Sequence, residues 1–160
     1  MPDKALSQAG RASTFVPKGW HTITPRIVAR DAGRLVEFLR RVFGATGEFR
    51  PAVPSELRIG DSIVMISEAG ARRPMTAFLY VYVSDTDRTY RRALEAGARS
   101  LEEPSDMFYG DRRCMLEDRW GNTWQIATRT GAAPRRPLQP TTRACKTRPK
   151  SKTRTRAIRG

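Results

Sequence analysis

The sequence predicts an α+β domain made of two consecutive copies of one unit, a strand, a helix and three further strands, folded together with a cleft between the halves. Three observations predict it. An aspartate ends a strand-like run at Asp31 and again at Asp85, an offset of 54. A Gly-Ala pair closes each following helical stretch, at Gly44-Ala45 and Gly97-Ala98, and Gly44 to Gly97 is an offset of 53. Each copy then continues in short segments of strand character broken by turn residues. Two units are too few for a solenoid, which needs about three to bury a continuous core, so the repeat is read as one pseudo-symmetric domain.

The first strand occupies residues 24–31 and the first helix follows Asp31, whose carboxylate is placed to accept the free N–H groups of the first turn. Leu35, Phe38, Leu39, Val42 and Phe43 recur at the spacing of one helical face lying on a sheet. Gly44 stops the helix, since glycine accepts the left-handed conformation cheaply. Strands are expected at 48–52, 55–59 and 62–66, separated by Pro54 and the Gly60-Asp61 turn. Residues 69–75 link the halves. The second copy repeats the order: a strand at 78–85, Asp85 as N-cap, a helix with the weaker stripe Tyr90, Ala93 and Leu94, a stop at Gly97, and strands at 99–102, 112–117 and 123–128. The turn Gly121-Asn122 separates the last two.

Composition sets further bounds. The packed part, 20–130 with modules 22–68 and 76–129, is long enough for a real core, whereas 1–19 and 131–160 are expected to be disordered. No apolar run approaches a membrane span and no signal-peptide stretch opens the chain, so a cytoplasmic location without membrane contact is expected. Cys114 and Cys145 give neither a disulfide framework nor a metal pair. The net charge of +14 belongs mostly to the tail: residues 133–160 hold ten basic residues and no acid, which leaves 20 basic against 16 acidic elsewhere. Such a tail is read as a solvated extension, as a nonspecific tether to nucleic acid or another anionic surface, or as a recognition arm. It lacks the interleaved aromatics of a single-strand reader.

Three stretches, Ile59-Gly60-Asp61-Ser62-Ile63-Val64-Met65, Tyr109-Gly110-Asp111-Arg112 and Glu117-Asp118-Arg119-Trp120-Gly121-Asn122-Thr123-Trp124, together with the tandem βαβββ order, resemble the glyoxalase/bleomycin-resistance/dioxygenase group, the vicinal oxygen chelate superfamily. The likeness is greatest to its phosphonate-metabolism-protein-like branch and covers residues 20–129. It implies that each module curls into a half-barrel, that paired modules make a cup open on one side, and that a homodimer partner completes the cup in many members. Catalytic members hold a divalent metal there through four strand positions. Carried onto this chain, those positions are Thr24, Met65, Phe78 and Gln125. That set offers no strong ligand for a hard or borderline ion, and the single histidine, His21, lies an odd number of residues from Thr24, hence on the opposite strand face. Metal-dependent isomerase or ring-cleaving chemistry is therefore not expected, and neither metal nor cofactor is assigned.

Strand alternation puts Thr24 and Arg26, Phe78 and Tyr80, and Gln125 on one face, where they line a pocket if that face is the cup, the alternative being that Phe78, Tyr80 and Met65 are simply core. Tyr109 is nominated for the binding site as well. Arg112 either pairs with Asp111 or Glu117 or clamps an anion at the mouth of the cup. The expected function is metal-free binding of a small planar or amphipathic molecule, of a sequestration or resistance type, with a rebuilt lyase or isomerase of the glyoxalase type as the alternative. A tail-tethered nucleoid accessory is a further reading. The mildly basic domain argues against a cationic glycopeptide as ligand.

Overall fold

In the computed structural model, which describes residues 15–131, the predicted order is present with one strand fewer. The elements run β1 (Arg26–Ala29), α1 (Ala32–Phe43), β2 (Ser55–Ile59), β3 (Ser62–Glu68), β4 (Phe78–Tyr82), α2 (Thr86–Glu95), β5 (Arg99–Asp106), β6 (Asp111–Glu117) and β7 (Thr123–Arg129). They build two mixed sheets, ordered β1-β3-β2 and β4-β7-β6-β5. In both, the first strand lies parallel to the last, Arg26 beside Met65 and Phe78 beside Thr123, and the remaining pairs are antiparallel. Parallel pairing needs a crossover, and each helix supplies it.

The expected strand at 48–52 does not form. Only an isolated bridge, Thr46 to Arg58, takes its place. Gly47 turns the chain at φ 123, Pro51 and Pro54 withhold two N–H groups, and the Ser55 hydroxyl takes the Arg50 N–H at 2.7 Å. The expectations for 1–19 and 131–160 lie outside the described residues except at 15–19 and 131, which form turns and bends.

The helix starts differ although both follow an aspartate. Asp85 is extended and its carboxylate accepts the Arg88 N–H at 2.9 Å, as expected of an N-cap. Asp31 sits in the left-handed region at φ 58 and makes no side-chain cap. Glu68, at the end of β3, replaces it, its two oxygens accepting the N–H groups of Asp31 and Ala32 at 2.9 and 2.8 Å. The carboxylate still lies against the positive end of the helix, so the first turn is satisfied from a distant strand.

One core lies between the sheets and the helices. Ile27, Ala29, Leu57, Val64 and Ile66 of the first sheet meet Leu35, Val36, Phe38, Leu39 and Val42 of α1; Cys114, Leu116, Trp124 and Ile126 of the second sheet meet Ala93 of α2. Trp124 is fully buried and packs on Phe43 of the other half, ring centroids 5.0 Å apart. Trp120 bridges the halves as well, edge-on to Phe38 at 6.1 Å with its indole N–H on the Arg30 carbonyl at 2.8 Å. These aromatics fix the modules into one body.

Candidate functional site

Strand alternation assigns the faces of the second sheet. Cys114, Leu116, Trp124 and Ile126 are buried toward the helices, so Phe78, Tyr80 and Tyr82 of β4, Thr123, Gln125 and Ala127 of β7, and Arg113 and Met115 of β6 share the other face. That face is open and aromatic, with Phe78 62%, Tyr80 41% and Tyr82 61% exposed. The two tyrosine rings lie 5.2 Å apart at 48°. Tyr82 stands across from Ala127, which puts only a methyl in the path of the rings toward β6.

At the end of that path lies Asp111, 1% exposed. Its Oδ2 accepts both phenols, Tyr80 at 3.0 Å and Tyr82 at 2.9 Å, while its Oδ1 accepts Arg129 Nη1 at 2.8 Å. Arg129 Nη1 also reaches the Tyr109 carbonyl at 3.0 Å. The Arg129 guanidinium holds the Asp111 carboxyl below the usual carboxylate range, with both phenols adding to the effect. Burial and then the bond to Asp111 push the Tyr80 phenol up, and the bond to Asp111 does the same for Tyr82. At neutral pH the cluster is two neutral phenols donating to one anion beside one cation. Its hydrogen bonds fix the ring positions.

The first sheet faces its own open side with Arg26, Met65 and Glu56 in one register row. Arg26 Nε donates to Ser67 Oγ at 3.0 Å, and Thr24 lies just before β1. A cleft of about 310 Å³ opens between the β4 edge, the arm 21–25 and the β2–β3 hairpin. Of the sequence-nominated residues only Tyr80 lines it; Phe78 and Gln125 lie on the aromatic face, Tyr109 beside the Asp111 cluster, and Thr24, Arg26 and Met65 on the first module. His21, assigned by parity to the opposite strand face, contributes to the cleft wall, because residue 21 precedes β1 and strand alternation does not govern it.

Arg112 is neither at the cup mouth nor paired with Asp111 or Glu117. It shares the helix-side parity of Cys114 and Leu116, so its guanidinium goes to Asp87 of α2, by two nitrogens, and to Asp106 at 3.1 Å. Its neighbour Arg113 holds the cup-side position, paired with Glu102. The sequence reading also missed the joining of Asp111 to Arg129. The signal was present: counting outward from the Gly121-Asn122 turn pairs 117 with 123 and therefore 111 with 129.

The catalytic-metal positions of this fold do not fit a metal here. Thr24 offers a hydroxyl, Met65 a thioether, Gln125 an amide and Phe78 nothing, and no group of three His, Cys, Asp or Glu gathers among the described residues. The nearby carboxylates have other duties: Glu102 pairs with Arg113, Glu117 with Arg99 and Asp111 with Arg129, while Glu68 caps α1.

Comparison with known proteins places this geometry. The model of the glyoxalase/bleomycin resistance protein/dioxygenase superfamily matches residues 20–126. The chain belongs to that superfamily. An uncharacterized protein of Mycobacterium bovis is 28% identical over 125 residues, 78% of this chain and 79% of its own. TioX from Micromonospora sp. ML1 is similar in structure at a TM-score of 0.57 and 27% identity, covering 67% of this chain and 97% of TioX. The fosfomycin resistance protein FosX of Mesorhizobium loti shares the fold at a TM-score of 0.52 and 21% identity, over 70% and 92% of the two chains. Superfamily members bind small molecules and often form dimers. No helix among the described residues is long and apolar enough to cross a membrane.

Proposed function

We propose that this superfamily member is a metal-independent small-molecule binding protein, its ligand held against the aromatic face of β4, β7 and β6 in a cup that a second copy completes. The observation that carries the reading is the row Phe78, Tyr80 and Tyr82, exposed on a strand while a buried carboxylate pins two of its three rings. Exposed aromatics on a rigid element are binding surface at little entropic cost. Covering the exposed part of Phe78 alone favours a ligand by on the order of 2–3 kcal/mol.

The same face supports a ligand that is planar and bears an acceptor. Gln125 lies in register between Tyr80 and Met115, and its side-chain amide offers both a donor and an acceptor on that face.

The test is a thermal-shift screen in EDTA with planar aromatic acids and amides, 8-anilinonaphthalene-1-sulfonate first, repeated on Phe78→Ser and Gln125→Ala. Stabilisation that needs no divalent ion and shrinks in both variants supports the reading. Stabilisation that appears only with added zinc, nickel or manganese, or that ignores Phe78→Ser, overturns it.

A further inference from the structure

The two units treat their first strands differently. The outer edge of β1 is occupied: Val28 N–H donates to the Met75 carbonyl at 3.3 Å and Met75 N–H to the Val28 carbonyl at 2.9 Å, an antiparallel pair made by the segment that leaves β3. Among the described residues β4 pairs with β7 alone, so its outer edge is bare. That strand reads Phe-Leu-Tyr-Val-Tyr, without a charge. Four consecutive residues of it, Leu79 to Tyr82, border the cleft, which requires a groove running along the backbone rather than over one face. An apolar open edge is a template for another extended segment.

The segment that covers β1 carries a signature, and the chain carries it twice. Residues 72–75 read Arg-Arg-Pro-Met and residues 135–138 read Arg-Arg-Pro-Leu. Met75 stands seven residues beyond Glu68, the last of β3, and Leu138 nine beyond Arg129, the last of β7. β3 and β7 hold equivalent places, each the parallel neighbour of its module's first strand. A chain leaving either one and reversing runs antiparallel along that first strand.

The receiving positions correspond too. Val28 and Tyr82 each lie three residues before the aspartate that precedes a helix. Val83 N–H turns inward, to the Ala127 carbonyl at 2.8 Å, so Tyr82 N–H turns outward, as Val28 N–H does. Proline has no N–H and holds the residue before it extended, so in both copies the residue after it is the first able to exchange two backbone bonds.

We propose that residues 135–138 seat on the outer edge of β4 as 72–75 seat on β1, with Leu138 exchanging paired backbone hydrogen bonds with Tyr82. The occupant is this chain's own segment 135–138. The inference stands apart from what the cleft binds.

Amide hydrogen exchange by NMR on the full chain tests it, in the natural sequence and in Leu138→Pro, which removes the donating N–H without touching the described domain. The Tyr82 amide should exchange at least about 100-fold more slowly than in an unstructured peptide, and at least about 10-fold faster in Leu138→Pro, with Val28 protection unchanged. Exchange of Tyr82 at the peptide rate in the natural chain overturns the proposal. So does protection that survives Leu138→Pro; if that protection rises with protein concentration, the edge belongs to a second copy instead.

Discussion

Replacing Asp118 should be strongly destabilising. Its carboxylate, 3% exposed, organises the turn between β6 and β7: Oδ1 accepts the N–H groups of Trp120 and Asn122, both at 2.9 Å, and Oδ2 accepts Asn122 Nδ2 at 2.8 Å and Trp124 Nε1 at 2.9 Å. Asn122 and Trp124 are fully buried, so their donors find no water once the acceptor is gone. Each buried donor left unpaired costs about 1–3 kcal/mol, and two side-chain donors with one backbone N–H give roughly 3–4 kcal/mol after some relaxation. Against a total stability of about 5–15 kcal/mol, that is a large share. At about 4 °C per kcal/mol for a domain of this size, Asp118→Ala should lower Tm by roughly 15 °C. Asp118→Asn separates hydrogen bonding from packing. It keeps the volume but sets an amide NH2 against Trp124 Nε1 and Asn122 Nδ2 if the oxygen stays with the backbone donors, so it should lose nearly as much. Thermal unfolding followed by near-ultraviolet circular dichroism and urea unfolding with an unchanged m-value are the assays. A fall below about 3 °C for Asp118→Asn would refute the reasoning.

Other expectations follow from the same geometry. Gly47→Ala should be strongly destabilising, because φ is 123 and an added Cβ would stand 2.3 Å from the Glu56 carbonyl oxygen; Gly60→Ala, at φ 59 with open space around it, should cost only about 1 kcal/mol in urea unfolding. Asp31→Gly should stabilise by up to about 1 kcal/mol, since it relieves a left-handed non-glycine residue that caps nothing, whereas Glu68→Ala should cost about 1 kcal/mol by uncapping α1; equal effects in urea titrations would contradict the assignment. Stability should be flat through neutral pH. Asp111, lowered in the fold, contributes above the ordinary carboxylate range and its contribution disappears as pH falls through its depressed pKa; Tyr80 and Tyr82, raised in the fold, favour folding below the ordinary phenol range and lose that advantage as pH rises through their raised pKa values. Tyrosine ring shifts in NMR should therefore show both phenols ionising above the ordinary phenol range, and ionisation within or below that range would contradict the hydrogen-bond assignment.

Much of the fold was legible because it rests on local signals. The apolar stripe of α1, the glycine stops and the turn residues of both closing hairpins place elements where they form. What escaped depends on tertiary partners. Asp31 and Asp85 look alike in sequence, yet only Asp85 caps, because Glu68 reaches the first helix from 37 residues away. The strand expected at 48–52 has strand-like residues but lies among Gly47, Pro51 and Pro54, and the Ser55 hydroxyl satisfies backbone that a ladder would have used. At the site, parity selected Phe78, Tyr80 and Gln125 for one face. It was not applied to Arg112, which buried Cys114 and Leu116 assign to the helix side, and so Arg113 was passed over. The Asp111–Arg129 pair required hairpin register, which residue type alone does not carry.

The central claim, binding of a small organic molecule without a metal, is tested most directly by native mass spectrometry of the full chain purified from its own host with no metal added. The account predicts the apo mass or a discrete organic adduct, in a dimer, released on denaturation and lost in Phe78→Ser. A stoichiometric zinc, nickel, manganese or iron adduct would contradict it.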